Sequence, residues 1–380
     1  MVRKLRHKFF WILASLVLFS LAAPIADAAV VDPTEPAKRH RCSSQVSFIA
    51  RPPDQSWSDY QIISYFAETS ARLVGLARLG VTAGKILGQR GEFDLAKIPQ
   101  GAAPFVALHL RWYIENIATD FYSAYHRWYP DHPVNWLFEE TKRLHRQEPA
   151  NIAAFIRTPS LSDPAWLSRI ALRLRQHVRA YAPYRPLYYN LADEAGIADL
   201  AAAWDFDFAP ASLAAMRVWL KQTYGTLAAL NREWGTHFRD WDSVLPMTTD
   251  AALQQPDENF AAWADFKAWM DIAFARAVRA GTDAVHAADP SARAAFTGGQ
   301  LPGWGGYNYS RLAAAVDVIE MSNEGNSVEI ARSLAPGLIT LMTSFPSVGE
   351  PQQIHAIWHE LLLGGRGGHT VGRGQCRCRR

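Results

Sequence analysis

The sequence predicts an α/β protein of the (β/α)8, or TIM barrel, class. Three observations predict it. Short apolar segments alternate with long amphipathic ones from residue 45 to residue 371, the order that a parallel sheet with helical crossovers requires. No G-x-G-x-x-G follows the first predicted strand, so an open dinucleotide-binding sheet loses its main support. Polar and acidic residues gather just after the predicted strands, where barrel enzymes carry their sites.

The elements follow in order along 380 residues. Residues 1–28 read as an export signal. The basic start MVRKLRHK leads into the apolar run FFWILASLVLFSLAA, and Ala26-Asp27-Ala28 fits a small-x-small cleavage site. That run is shorter than the ~20 residues of a spanning helix. A cleaved, secreted or periplasmic chain without membrane association is therefore expected, the other reading being a retained N-terminal anchor. Arg3, Lys4, Arg6 and Lys8 against Asp27 hold the whole formal charge of +3. The neutral body that remains argues against a nucleic-acid partner. Cys42, Cys376 and Cys378 are too few for a disulfide scaffold.

Residues 29–44 form a polar, irregular lead-in. QVSFIARP (45–52) predicts the first strand, and 56–80 a helix capped at Ser56 or Ser58 and closed by Gly80. VTAGKIL (81–87) predicts a strand. PFVALHLRWYIENIATDFY (104–122), rich in β-branched and aromatic residues, reads as strand and loop. Residues 162–181 predict a helix with Ser162 or Asp163 as cap and Pro164 at its start. PLYYNLADEAG (186–196) reads as a buried strand running into a polar loop. Two helical stretches follow, 212–235 with a break near Gly225, and 259–290 stopped by Asp289-Pro290. ARAAFTGG (292–299), VDVIEM (316–321) and GLITLMTSF (337–345) predict strands, 350–365 a last helix, and GGHTV (367–371) an eighth strand. A barrel should close on an apolar strand, yet the composition turns to Gly, Arg and Cys after Val371. Closure is thus expected to be incomplete at the C-terminus, with 372–380 a non-native tail from a shifted frame or gene fragment; a genuine basic tail is the alternative.

Asn190, Asp193 and Glu194 stand at the end of an apolar strand, where burying carboxylates is costly unless something uses or satisfies them. Desolvation there raises a carboxyl pKa towards the range of a general acid. Loop bracing or helix capping is the competing role. Glu320, Glu324 and Glu329 lie near another strand end. Glycoside hydrolysis needs two carboxyl groups on either side of the scissile bond, and Glu194 with Glu320 on one barrel rim would supply them. Glu320 alternates with Val318, so it points into the barrel if Val318 does; Glu324, three residues into a polar loop, is the second choice. His355 and His359 share a helix face but lack a third ligand, so no metal and no cofactor are expected. GGRGG (364–368) precedes a strand rather than a helix N-terminus, which speaks against phosphate binding.

The helix MRVWLKQTYGTLAALNREWG carries Trp219, Leu220, Tyr224, Gly225, Leu230, Asn231, Trp234 and Gly235 together, shortly after YYNLADEAG. In this it resembles the β-galactosidase-type glycoside hydrolases of family 42, and more weakly so from about residue 46 to residue 371. The resemblance implies a (β/α)8 barrel and a retaining mechanism, with an acid/base Glu after the fourth strand and a nucleophile Glu after the seventh. Glu194 matches the acid/base. Asp193 stands where the family usually has Asn, with Asn190 as a substitute for the 2-hydroxyl contact. GLITLMTSF, the predicted seventh strand, has no Glu.

The expectation is thus an exported glycosidase with Glu194 and Glu320 catalytic. Asn190, Asp193, Trp304 and Tyr307 would bind an oligosaccharide or glycoside, with Trp112, Tyr113 and Trp358 as further sugar platforms. The alternative is a non-catalytic carbohydrate-binding barrel or an inactive truncated product.

Overall fold

The computed structural model describes residues 57, 59–89, 93–123, 136–197, 204–299, 308–321, 327–344 and 350–370. The export signal, the lead-in, the strand expected at 45–52, Trp304, Tyr307, Glu324 and the tail 372–380 lie outside the described residues.

Eight parallel strands close into a barrel in sequence order. They are β1 (Gln61–Ser64), β2 (Ala83–Leu87), β3 (Arg111–Glu115), β4 (Tyr189–Asp193), β5 (Ala294–Gly299), β6 (Val318–Met321), β7 (Ile339–Ser344) and β8 (Gly367–Thr370). Among the helices, α1 (Ser70–Arg78), α2 (Lys97–Ala107), α3 (Thr119–Tyr122), α4 (Trp136–Gln147) and α5 (Pro164–Tyr181) precede β4. Between β4 and β5 come α6 (Pro210–Tyr224), α7 (Leu227–Trp234), α8 (Thr249–Leu253) and α9 (Ala261–Ala288). The later crossovers carry α10 (Tyr309–Leu312), α11 (Ser327–Leu334) and α12 (Glu350–Leu362). No described helix is long and apolar enough to cross a membrane.

Two expectations need correction. The first described strand falls inside the helix expected over 56–80. Its two adjacent β-branched residues, Ile62 and Ile63, favour extended backbone, and β1 is paired on both sides, to β2 and β8. The helix starts only after Thr69, whose side chain accepts from the Arg72 amide. The C-terminal closure, expected to be incomplete, is made: β8 pairs with β7 and with β1, Ile63 opposite His369. Glycine rather than apolar bulk makes this possible, because a Cβ on Gly367 would sit 2.6 Å from the Gln61 carbonyl oxygen.

The segment 104–122, expected as strand and loop, resolves into the end of α2, the whole of β3 and the short α3. Ile98, Ala102 and Phe105 bury one face of α2. The helix α5 begins as its sequence implies, with Pro164 in its first turn and the Asp163 carboxylate accepting from Ala165 N at 2.8 Å and Trp166 N at 3.3 Å. Ile170, Leu174 and Val178 form its buried face, at about 2 kcal/mol each. Gly225 breaks the helical stretch at φ +72, and Gly235 ends α7 at φ +65, conformations that favour glycine.

The barrel interior is filled by Ile63, Ala83, Tyr113, Tyr188, Ala295, Val318, Ile339 and Leu341. Their strand neighbours, such as Trp112, Ile114, Tyr189, Phe296 and Ile319, face the outer layer. A column of rings runs through the centre: Tyr113 stacks on Tyr188 at 4.4 Å and on His369 at 5.3 Å between centroids. Tyr188 Oη and His369 Nε2 share a hydrogen bond of 2.9 Å, and burial presses the imidazole pKa down to about 3. The ring is neutral at any working pH.

Candidate active site

One pleat beyond the apolar filling, towards the strands' C-terminal ends, the interior turns polar. Glu115 follows Tyr113 on β3, Asn190 on β4 follows Tyr188 just before it, Thr297 follows Ala295 on β5, Glu320 follows Val318 on β6, and Thr343 follows Leu341 on β7. Val318 does face inward, so the period of two carries Glu320 into the barrel, where only 2% of it is exposed. Its Oε2 accepts from the Gly298 amide at 2.6 Å and its Oε1 from the Thr343 hydroxyl. Burial outweighs both donors and pushes the carboxyl up to about pKa 8.

Glu115 is the residue that sequence reasoning missed. It is fully buried, and its Oε1 accepts from Asn190 Nδ2 at 2.6 Å. Burial, reinforced by the charge of Asp193 and opposed by Lys85, pushes it up to about pKa 7. The signal was present: RWYIE places Glu115 on the side of Tyr113, by the same alternation that placed Glu320.

Asp193 ends β4, taking a hydrogen bond of 2.7 Å from Tyr65 Oη at Oδ2 and one of 3.3 Å from Thr297 Oγ1 at Oδ1. Lys85 Nζ lies 3.8 Å above the Tyr65 ring. Glu194 follows directly, half-buried, with φ +45. Few non-glycine residues adopt this left-handed backbone, and those that do concentrate at functional sites. It is held by its own backbone: the Glu194 amide donates to Thr297 O at 3.1 Å, and its carbonyl accepts from Ser123 Oγ at 3.1 Å.

Gly298 brings Glu194 and Glu320 together. A Cβ at this glycine would lie 2.7 Å from Glu194 N and 2.8 Å from Glu194 Cγ, while its amide binds Glu320. Those contacts, with the roughly 2.5 Å N-to-Cβ span of one residue, put Glu194 Cγ within about 8 Å of Glu320 Oε2.

The other expected residues fall elsewhere. Asn190 is buried beneath the rim, its amide nitrogen shared between Glu115 and Thr297 Oγ1 at 2.8 Å. Trp112 is no sugar platform: it packs under the helices, between Phe105 and Tyr181. Tyr113 belongs to the central ring column, and Trp358 stands exposed on α12. Glu329 lies on α11, where its charge raises the pKa of Glu360 on α12. His355 and His359 stack on α12 with centroids 6.0 Å apart. Among the described residues, no three His, Cys, Asp or Glu are grouped to hold a metal ion.

The aromatic helix motif does architectural work. Tyr224 Oη and Trp234 Nε1 both donate to Asp265 Oδ2, at 2.5 and 2.8 Å, tying α6 and α7 to α9. Asn231 braces the turn after α7, accepting from the Phe238 amide and donating to its carbonyl.

Residues 190–326 match the family described as Beta-galactosidase, glycoside hydrolase family 42. The match includes Asn190, Asp193, Glu194 and Glu320, and it supports a glycoside hydrolase. Among solved structures, the cold-adapted β-galactosidase of Rahnella sp. R3 is 14% identical, with a TM-score of 0.58 over 85% of this chain and 52% of that one. The β-galactosidase of Bacillus circulans is 15% identical, with a TM-score of 0.58 over 83% and 51%. The catalytic domain of a Paenibacillus polymyxa β-amylase is 16% identical, with a TM-score of 0.59 over 83% and 93%. The chain thus spans about half the length of these β-galactosidases, and the likeness is one of fold. No curated protein sequence matches it significantly.

Proposed function

We propose that the protein is an exported glycoside hydrolase, β-galactosidase-like in type, that cleaves oligosaccharides by a two-carboxyl retaining mechanism. The observation that carries this reading is the seating of Glu194 and Glu320 against the two sides of Gly298, at the C-terminal end of one barrel. Glu194 donates its proton to the departing glycosidic oxygen. Glu320, as carboxylate, attacks the anomeric carbon, so that one C–O bond breaks as the glycosyl ester forms. Glu194 then draws a proton from water, which hydrolyses the ester. Glu320 attacks only after ionising, and the donors Thr343 and Gly298 favour that form. Asp193 orients the glycone from the rim, Asn190 holds Glu115 beneath it, and Trp304 and Tyr307 are the proposed stacking platforms. Export is supported by the basic, apolar and Ala-Asp-Ala succession of the first 28 residues; mass spectrometry of exported protein should find an N-terminus near Ala29.

A panel of aryl and natural glycosides, galactosides included, tests the reading. Hydrolysis with retained anomeric configuration by NMR is expected; inversion overturns the mechanism. A second reading, a non-catalytic sugar-binding barrel, is favoured by β7, which reads ITLMTS without a Glu where family 42 keeps its nucleophile. Affinity for a glycoside without turnover would establish it.

A further inference from the structure

Thr297 occupies a singular place among the buried carboxyls. Its hydroxyl has one hydrogen to give, and two carboxyl oxygens stand at the same distance from it, Glu115 Oε1 at 3.3 Å and Asp193 Oδ1 at 3.3 Å, slightly nearer than the neutral Ala192 carbonyl oxygen at 3.4 Å. The hydroxyl oxygen accepts from Asn190 Nδ2 at 2.8 Å, and Asn190 in turn grips Glu115 at 2.6 Å. The Thr297 carbonyl meanwhile accepts the backbone amide of Glu194. One residue therefore touches both carboxyls with its side chain and the rim glutamate with its main chain. We infer that Glu115 is a positioning residue for the Asp193–Glu194 corner, its protonation state selecting which of the two carboxyls receives the Thr297 hydroxyl hydrogen.

The inference rests on the glycosidase reading only for its kinetic half. When Glu115 carries a proton, the Thr297 hydrogen goes to Asp193, the stronger acceptor, and Asp193 is held by both Thr297 and Tyr65. When Glu115 ionises, the hydrogen is drawn to Glu115. Asp193 then loses that donor and faces a second negative charge, and the corner bearing Glu194 loosens. The groups that face Glu115 fix the sense of this exchange. Lys85 on β2 favours its ionised form; Asp193 on β4 disfavours it; Asn190 is a neutral donor to it, and the neutral Tyr113 hydroxyl, two residues earlier on β3, lies beside it. Glu115 also acts on Tyr65 after β1, on Tyr188 before β4 and on Glu320 on β6, so the exchange is felt around the mouth. Burial sets the ionisation of Glu115 at about 7, inside the working range of an enzyme.

The test compares the wild type with Glu115→Gln, Thr297→Val and Thr297→Ser, following kcat/KM and unfolding free energy from pH 5 to pH 9. Because ionisation of Glu320 raises kcat/KM up to about pH 8, the effect of Glu115 is read as the ratio of wild-type to Glu115→Gln kcat/KM, which should fall by up to about tenfold per pH unit above an ionisation near 7. Glu115→Gln, a fixed neutral mimic, should itself show the Glu320 rise without an ionisation near 7. Thr297→Val should uncouple the two halves: the ionisation stays in the stability curve and leaves the kcat/KM profile. Thr297→Ser should restore it to the profile. A ratio of wild-type to Glu115→Gln kcat/KM that stays flat from pH 5 to pH 9, or a stability curve unchanged by Glu115→Gln, overturns the inference while leaving the glycosidase reading standing. Absence of turnover in the wild type, with the ionisation lost from the stability curve in Glu115→Gln, overturns the glycosidase reading and leaves the proton exchange supported.

Discussion

Glu320→Gln should stabilise the fold, and by an amount that depends on pH. The buried carboxyl titrates at about 8 in the folded protein against 4.5 as its ordinary value. Between those two pH values the unfolded chain has released the proton and the folded chain has kept it. Stability therefore falls as pH rises through this window, by up to about 1.4 kcal/mol per pH unit for this one group. The deficit amounts to about 4 kcal/mol at pH 7.5 and about 1 kcal/mol at pH 5. Glutamine never ionises. Its amide keeps the shape of the protonated acid, with a carbonyl to accept from Gly298 and an NH2 to donate to Thr343. Urea unfolding followed by tryptophan fluorescence should show Glu320→Gln more stable than the wild type by about 3 kcal/mol more at pH 7.5 than at pH 5, with an unchanged m-value. A stability difference that does not vary with pH would refute the reasoning, since it would mean that Glu320 is ionised in both states or protonated in both. The same substitution should abolish turnover, the usual opposition between an active site and the stability of its scaffold.

The other predictions bear on the site and its supports. Glu194→Gln should lower turnover of substrates with poor leaving groups by about 10²- to 10⁴-fold and that of activated aryl glycosides far less; equal losses on both would indicate a structural role. Glu320→Ala should recover activity in azide and yield a glycosyl azide of inverted configuration, and full activity without azide would remove Glu320 from the mechanism. Gly298→Ala has to place a methyl group 2.7 Å from Glu194 N at φ +70, so a loss of about 1–3 kcal/mol and of activity is expected, read by thermal shift and assay. Asp205→Ala strands Lys267, whose ammonium lies 2.7 Å from a carboxylate only 3% exposed, and should cost about 3 kcal/mol in urea unfolding; a cost below about 0.5 kcal/mol would mean that the pair is solvated.

Apart from β3, whose limits were lost inside 104–122, the strands from β2 onwards were legible because each is a short apolar run set off by turn residues or helix periodicity. The first was not. Ile62 and Ile63 sit in a stretch whose apolar spacing also suits a helix, and only pairing with β2 and β8 makes it a strand. In the site, Glu194 was legible from its place after an apolar strand, and Glu320 from its alternation with Val318. Glu115 obeys the same alternation but was hidden, because the boundary between α2 and β3 carries no clear stop signal and Pro104 lies inside the helix. Tyr65, Lys85 and Thr297 have no local signature at all. They meet Asp193 and Glu115 only in the folded barrel, where β2 lies beside β3, β5 lies beside β4, and Tyr65, after β1, reaches Asp193 although β1 borders neither strand.

The order of residues along the interior strands argues that these carboxyls are there for chemistry. One pleat below Glu320 stands Val318, and one pleat below Glu115 stands Tyr113 packed against Tyr188. The barrel therefore fills its centre with apolar and aromatic side chains wherever closure alone is at stake. At the next inward position on the same strands it changes to carboxyls whose burial raises them to about 7 and about 8. A valine or leucine in either place would fill the same space without the desolvation cost. The change occurs at the C-terminal end, to carboxyls on β3 and β6 and to Asn190 between them on β4, and around one glycine that lets Glu194 approach Glu320. Packing gives no reason for that coincidence; a reaction that needs protons held and released at one point does.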